Sequence, residues 1–246
     1  MSLSSLVSPG KRPLFFTICA DGGMGKTSLA ALFPGVVMIR TEDGSRSIED
    51  RKDVALFPVA KSVEAVFGNI QDLIAEKHDF KTLVIDSITQ FDQLATAKIL
   101  ADDPKARSLN QAMGGYGAGR AAVANIHREM REACGYLAET KDMHIVFIAH
   151  AVTESVDLPD QDSFSRYTIR MHPTAMSHYT DNVDVVAFIK LQTYTSGGEN
   201  DTKKATTSGK RIITCYPHPA HVSKNRLGIK TDINFNEGEN PFAQHL

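Results

Sequence analysis

Nowhere does the 246-residue sequence hold a run of about 18 apolar residues, so no segment reads as a membrane-spanning helix. The start, MSLSSLVSPGKRP, lacks the apolar core of a secretory leader, and the expectation is a cytoplasmic protein. Cysteine is scarce: Cys19, Cys134 and Cys215 are scattered, with no CxxC spacing. That argues against a disulfide framework or a zinc site and for reduced thiols buried as small apolar residues. An excess of either charge is also missing. With 27 basic and 29 acidic residues the net charge is −2, which excludes a protein basic over its whole surface. Any nucleic-acid contact has to come from local patches. No linker-like stretch divides the chain.

What is present is ordinary globular composition, 42% hydrophobic and 23% charged, at a length that suits one large α/β domain. Residues 1–12 read as a flexible arm, 13–232 as the core and 233–246 as a polar, weakly ordered tail. Short apolar runs at Leu14–Cys19, Val36–Ile39, Leu56–Val59, Thr82–Ile85 and His144–Ala149 predict strands. Between them lie helical patterns: Lys26 to Phe33, stopped by Pro34-Gly35; a segment capped by Ser62 in which Val63, Val66, Phe67, Ile70, Leu73 and Ile74 recur at helical spacing; one running to about Ala101; and roughly Arg120 to Glu139. Alternating strands and helices predict a mainly parallel sheet flanked by helices. Val183–Leu191 and Arg211–Cys215 predict an antiparallel edge hairpin whose tip is a polar loop, 196–210. Residues 102–119 and 151–172 read as irregular polar loops.

The most specific motif is Ala20-Asp21-Gly22-Gly23-Met24-Gly25-Lys26-Thr27, followed by Ser28. It is a P-loop with Ala20 in place of the first glycine. Glycines let the backbone curl so that several N–H groups point at phosphate. Lys26 supplies a cation for the β- and γ-phosphates, the Thr27 hydroxyl a ligand for Mg²⁺, and the helix start its positive dipole end. Strand before and helix after are the context that the motif requires. Thr82-Leu83-Val84-Ile85-Asp86 puts a carboxylate at a strand end, and Asp86 is the expected second support for Mg²⁺. Glu42 lies just past the second strand, at the sheet edge where ligands collect, and is the expected base for water; Asp43 is the neighbour most easily confused with it.

Together, the early P-loop, Arg40-Thr41-Glu42-Asp43-Gly44 and Val84-Ile85-Asp86-Ser87 resemble the RecA-like branch of P-loop NTPases. The resemblance implies Glu42 as catalytic base, and Ile148-Ala149-His150 resembles the polar sensor at the end of the following core strand; a buried structural histidine is the alternative. Ser223-Lys224-Asn225-Arg226-Leu227-Gly228 is similar to the Lys-Asn-Arg-Phe-Gly motif of bacterial RadA and to the Lys-x-Arg finger of DnaB-type helicases, with Leu227 in place of Phe. Residues two apart on a strand face the same way, so Lys224 and Arg226 can serve one target. In those families it is the γ-phosphate in a neighbouring subunit. This implies a homo-oligomer with ATP sites at its interfaces. The overall likeness is to phage-encoded AAA-domain proteins, including short RecA-like single-strand annealing proteins, which implies a host cytoplasm as the setting.

By that resemblance, segments 102–119 and 151–172 would contact single-stranded DNA. Lys105, Arg107, Tyr116 and Arg120 in or beside the first, and Phe164, Arg166, Tyr167 and Arg170 in the second, are the residue types that stack on bases and hold phosphates. Lys203, Lys204, Lys210 and Arg211 of the edge hairpin could track a backbone. The expected function is a DNA-stimulated ATPase of recombination or strand annealing. The alternatives are a helicase-like or loader motor on the same core, and a module that binds nucleotide without hydrolysing it.

Overall fold

The computed structural model describes residues 10–196 and 204–246. Along the chain run β1 (Phe15–Ala20), α1 (Lys26–Ala30), β2 (Val36–Arg40), β3 (Ala55–Leu56), α2 (Val63–Ala75), β4 (Thr82–Asp86), α3 (Ile88–Asp102), α4 (Ala118–Lys141), β5 (His144–Leu158), β6 (Gln161–Ile169), α5 (Pro173–Thr180), β7 (Val185–Ser196), β8 (Lys204–Thr214), β9 (Lys224–Asn225) and β10 (Ile233–Asn234). Among the described residues the sheet has ten strands, in the order β10-β8-β7-β1-β5-β4-β2-β3, with β6 paired to β5 and β9 to β7. From β3 to β7 every neighbouring pair is parallel. The pairs β7–β8, β8–β10, β5–β6 and β7–β9 are antiparallel. This is the expected α/β architecture, a mainly parallel sheet with an antiparallel edge.

Period-two alternation explains why both faces are covered. On β1, β4 and β5 the side chains of Cys19, Leu83, Ile85, Ile145 and Phe147 meet α2, α3 and α4 on one face. Phe16, Ile18, Val84, Val146 and Ile148 point to the other, against Leu29 and Phe33. Ser62 caps α2 and Ser87 caps α3, each accepting an N–H three residues on at 3.2 Å. The three cysteines are buried free thiols. Burial pushes Cys19 and Cys134 up to about 12 and Cys215 up to about 11, so they act as small apolar groups.

Several sequence expectations need correction. Residues 151–172 are not irregular: β5 continues past Ala149, and with β6 it forms an antiparallel ribbon joined at Pro159-Asp160. The edge hairpin is likewise longer than expected, its strands reaching Ser196 and starting again at Lys204. Both ribbons leave the sheet, so no buried face imposes an apolar alternation. Their β-branched and aromatic residues, such as Val152, Thr153, Thr193 and Tyr194, favour extended backbone without it. Lys203 lies outside the described residues. Helix α5 was missed; its signal is His172, which caps the helix, with Pro173 at its first position.

The tail, expected to be weakly ordered, packs on the core. Phe242 is fully buried, 5.2 Å from the ring of Phe16 and 6.4 Å from that of Phe33. Asn240 folds the turn by donating to the Leu32 carbonyl and accepting from the Phe242 N–H. Burying one phenylalanine contributes about 1.5–3 kcal/mol, to which the β8–β10 pairing and buried Phe235 add.

A buried polar chain crosses the helical layer. His127 of α4 hydrogen-bonds Tyr179 Oη of α5 at 2.6 Å through Nδ1 and Asp92 of α3 at 3.0 Å through Nε2. The Tyr179 carbonyl accepts from Thr17 Oγ1 of β1 at 2.7 Å. His127 and Tyr179 are fully buried, so each ring needs its partner. Tyr179→Phe is expected to leave His127 Nδ1 without its partner and cost about 1–3 kcal/mol of unfolding free energy, read from urea denaturation. An unchanged midpoint would show that the chain contributes no stability.

Candidate functional site

β1 lies between β5 and β7, and its C-terminal end opens directly into the glycine turn. Gly23 (φ 74°) and Gly25 (φ 88°) take left-handed conformations that only glycine adopts at low cost. The turn curls back into α1, which is shorter than the expected Lys26–Phe33. Beyond Ala30 the chain tightens, with Leu32 and Phe33 donating to carbonyls three residues back before Pro34 ends the segment.

Register brings the other groups to the same edge. Ala20 of β1 stands opposite His150 of β5, and Asp86 of β4 opposite Arg40 of β2. Glu42 follows two residues after Arg40. Its segment is stitched to the end of β4: Thr41 N–H donates to the Asp86 carbonyl at 2.8 Å, and Thr41 Oγ1 donates to the Ser87 carbonyl and accepts the Ser87 N–H. Sequence reasoning missed Thr41, since a buried threonine after a strand carries no distinctive pattern. The Asp86–Ser87 peptide bond is cis.

The result is a cavity of about 360 Å³ lined by glycines of the P-loop, Lys26, Thr27, Ser28, Glu42, Asp43, Asp86, His150 and Arg211. Thr27 Oγ1 donates to Asp86 Oδ2 at 2.7 Å. Asp86 is 5% exposed; burial raises its carboxyl pKa, the Thr27 bond lowers it, and the charge of Glu42 raises it further. A hydroxyl and a carboxylate side by side form the hard oxygen set that Mg²⁺ prefers. Lys26 Nζ donates to the carbonyls of Ala20 at 3.0 Å and Asp21 at 2.8 Å. Burial lowers its pKa, and Asp86 and Glu42 are among the groups that oppose the shift.

Glu42 and His150 meet directly, with Oε1 and Nε2 2.9 Å apart. The bond from His150 holds the Glu42 carboxyl below its ordinary range, burial opposes this, and Ser87 adds a second lowering contact. The His150 side chain is about a quarter exposed, at the cavity wall rather than inside the core. It sits where β5 leaves the sheet to become the β5–β6 ribbon, and the His150 carbonyl accepts the Arg170 N–H at 2.9 Å. Asp43 also lines the cavity, but pairs with Arg40 at 3.5 Å.

Lys224 and Arg226 are not brought to this cavity. β9 pairs with β7 so that Asn225 stands opposite Val185, which in turn pairs with Phe16 near the start of β1. At ~3.3 Å per residue this places the pair roughly 15 Å down the sheet from the P-loop. Lys224 Nζ donates to the Asp181 carbonyl at 2.6 Å, and Arg226 Nη1 pairs with the buried Asp184 at 3.4 Å.

Of the expected DNA-contacting residues, Tyr116 is fully exposed, in a loop that holds Lys105 and Arg107 and leads to Arg120 at the start of α4. Arg166 pairs with Glu154 across the β5–β6 ribbon at 2.7 Å. Tyr167 stacks on Phe188 at 5.2 Å and is 40% exposed. Phe164 lies on the same ribbon, and Arg170 is exposed at its end. Arg211 turns away from the β7–β8 ribbon and lines the phosphate cavity.

Among the described residues no helix is long and apolar enough to cross a membrane. No curated protein matches the chain at a significant level. A family model for an AAA domain matches residues 12–227, which takes in β1 through β9 and every group of the cavity. The glycine turn, the Thr27–Asp86 pair and the sheet order agree with that match, and the chain belongs to this AAA-domain family of nucleotide-binding P-loop proteins.

Proposed function

We propose that the chain is an ATP-hydrolysing, RecA-like protein that acts on single-stranded DNA as a homo-oligomer, in phage-type recombination or strand annealing. Lys26 and the P-loop amides hold the phosphates of ATP. Thr27 and Asp86 are the residues that would hold Mg²⁺, which supplies charge neutralisation at the phosphates. Glu42 orients and deprotonates the attacking water, and His150 fixes the carboxylate that does so. Lys224 and Arg226 serve the site of a neighbouring subunit.

The observation that carries this reading is the 2.9 Å contact between Glu42 and His150. It joins the proposed base to the root of the β5–β6 ribbon, where Phe164, Arg166, Tyr167 and Arg170 lie. The proposed base thereby touches the root of an element whose residue types suit DNA. Tyr116 and its basic neighbours form a second suitable element.

The expected result is ATP turnover that rises several-fold when a single-stranded oligonucleotide is added at low salt. A rate that stays flat over all oligonucleotide concentrations would remove DNA from the reading. Strand displacement, rather than annealing of complementary strands, would favour a helicase-like motor.

A further inference from the structure

Arg211 was expected to track a DNA backbone, yet its side chain lies against the P-loop of its own chain. It stands on β8, opposite Leu191 of β7, where the β7–β8 ribbon joins the sheet. From there Nη1 reaches the Met24 carbonyl at 3.5 Å, and the guanidinium lies 4.6 Å from the centroid of the Phe235 ring. Phe235 is 6% exposed, and its N–H donates to the Arg211 carbonyl at 3.0 Å. The ring is buried, and the guanidinium carbon lies over its face.

Gly25 supplies the second observation. A Cβ there would collide with Arg211 Nη1 and come within 3.0 Å of the Phe235 ring. The absent side chain also leaves room for the Arg211 guanidinium, which a Cβ would push aside. It lets a cation close over the point where the P-loop enters α1.

Charge gives the reason. Three carboxylates, Glu42, Asp43 and Asp86, line the cavity, while Lys26 is engaged with the Ala20 and Asp21 carbonyls. Arg211 adds a guanidinium whose acidic neighbour, Glu237, is 4.0 Å away and almost fully exposed. A carbonyl at 3.5 Å and a solvated carboxylate at 4.0 Å are weak competitors for a phosphate, which a guanidinium can bind through two parallel N–H bonds. Stacking on Phe235 reduces the freedom that the side chain would lose on binding.

We propose that Arg211 is a phosphate ligand for the nucleotide bound in its own subunit, clamping the phosphates from the root of the β7–β8 ribbon. The assignment rests on the nucleotide-binding part of the proposed function and is independent of DNA. It also makes the ribbon sense the nucleotide, because the residue that grips the phosphates is part of the β7–β8 ladder.

The test is titration of the full-length chain with a fluorescent ATP analogue and with ADP, in Mg²⁺ and without DNA. Arg211→Ala is expected to weaken both ligands by roughly 10- to 100-fold, the range for losing a charge-assisted hydrogen bond. Arg211→Lys keeps the charge but loses the paired donors, and should fall between. Thermal melts separate this from a packing role. The ligand-free melting temperature of Arg211→Lys should match the parent, while the rise produced by a fixed ATP concentration shrinks. Parent-like affinity in both variants would overturn the assignment while leaving the proposed function intact. So would an Arg211→Lys protein whose ligand-free melt falls but whose ATP-induced rise is unchanged. A parent that binds neither ligand would overturn both.

Discussion

Glu42→Gln is expected to lower kcat for ATP hydrolysis by roughly 10²–10⁴-fold, the range for removing a general base, with nucleotide affinity nearly unchanged. Glutamine is the informative replacement because its amide oxygen can still accept from His150 Nε2, which Glu42 Oε1 contacts at 2.9 Å. Only the ability to take a proton is lost. The hydrogen bond from His150 holds the Glu42 carboxyl below its ordinary range, so the base is ionised throughout neutral pH and is lost only well into the acid range. Single-turnover hydrolysis alongside a nucleotide titration separates chemistry from binding. A parent-like rate in Glu42→Gln would remove Glu42 from the chemistry. A parent with no turnover but full nucleotide binding would turn the reading to a nucleotide-controlled interaction module.

The P-loop, Asp86 and Glu42 were legible because each is tied to the chain locally. A glycine turn needs its glycines, and a parallel strand of apolar residues shows where it ends. His150 was legible as a strand end, but its contact with Glu42 spans 108 residues of sequence and depends on the register of β5 beside β1. Arg211 misled for the same reason. In sequence it belongs to a run of basic and polar residues on a hairpin, and only the β8–β10 pairing reveals Phe235 beneath it and the P-loop beside it. The β5–β6 ribbon and the outer part of the β7–β8 ribbon give no strand signal because strand prediction leans on a buried face, and ribbons that project into solvent have none. Phe242 shows the opposite failure: one aromatic residue in a polar tail gives no periodic signal, yet it packs against the Phe16 and Phe33 rings.

Arg226→Ala is expected to lower ATP turnover by about 10³-fold or more, the range for losing an arginine that stabilises transferring phosphate from a second subunit. The position of β9 makes the trans arrangement a matter of reach. Arg226 lies level with Asp184 and the start of β1, while the phosphates belong at its far end. No rotamer of arginine spans the roughly 15 Å of strand between them. Asp184 accepts the Phe15 N–H at 2.9 Å and meets Arg226 at 3.4 Å, so the guanidinium is held at the sheet edge. The decisive measurement is a mixture. Lys26→Ala subunits lack a working P-loop but keep Arg226, and Arg226→Ala subunits have the reverse defect. Random co-assembly makes roughly a quarter of the interfaces intact on both sides, so about that fraction of parent activity should return when two inactive proteins are combined. Action within one subunit predicts no recovery at any ratio. Mass measurement must show that the two variants share assemblies; recovery that fails in shared assemblies would rule out the trans cation.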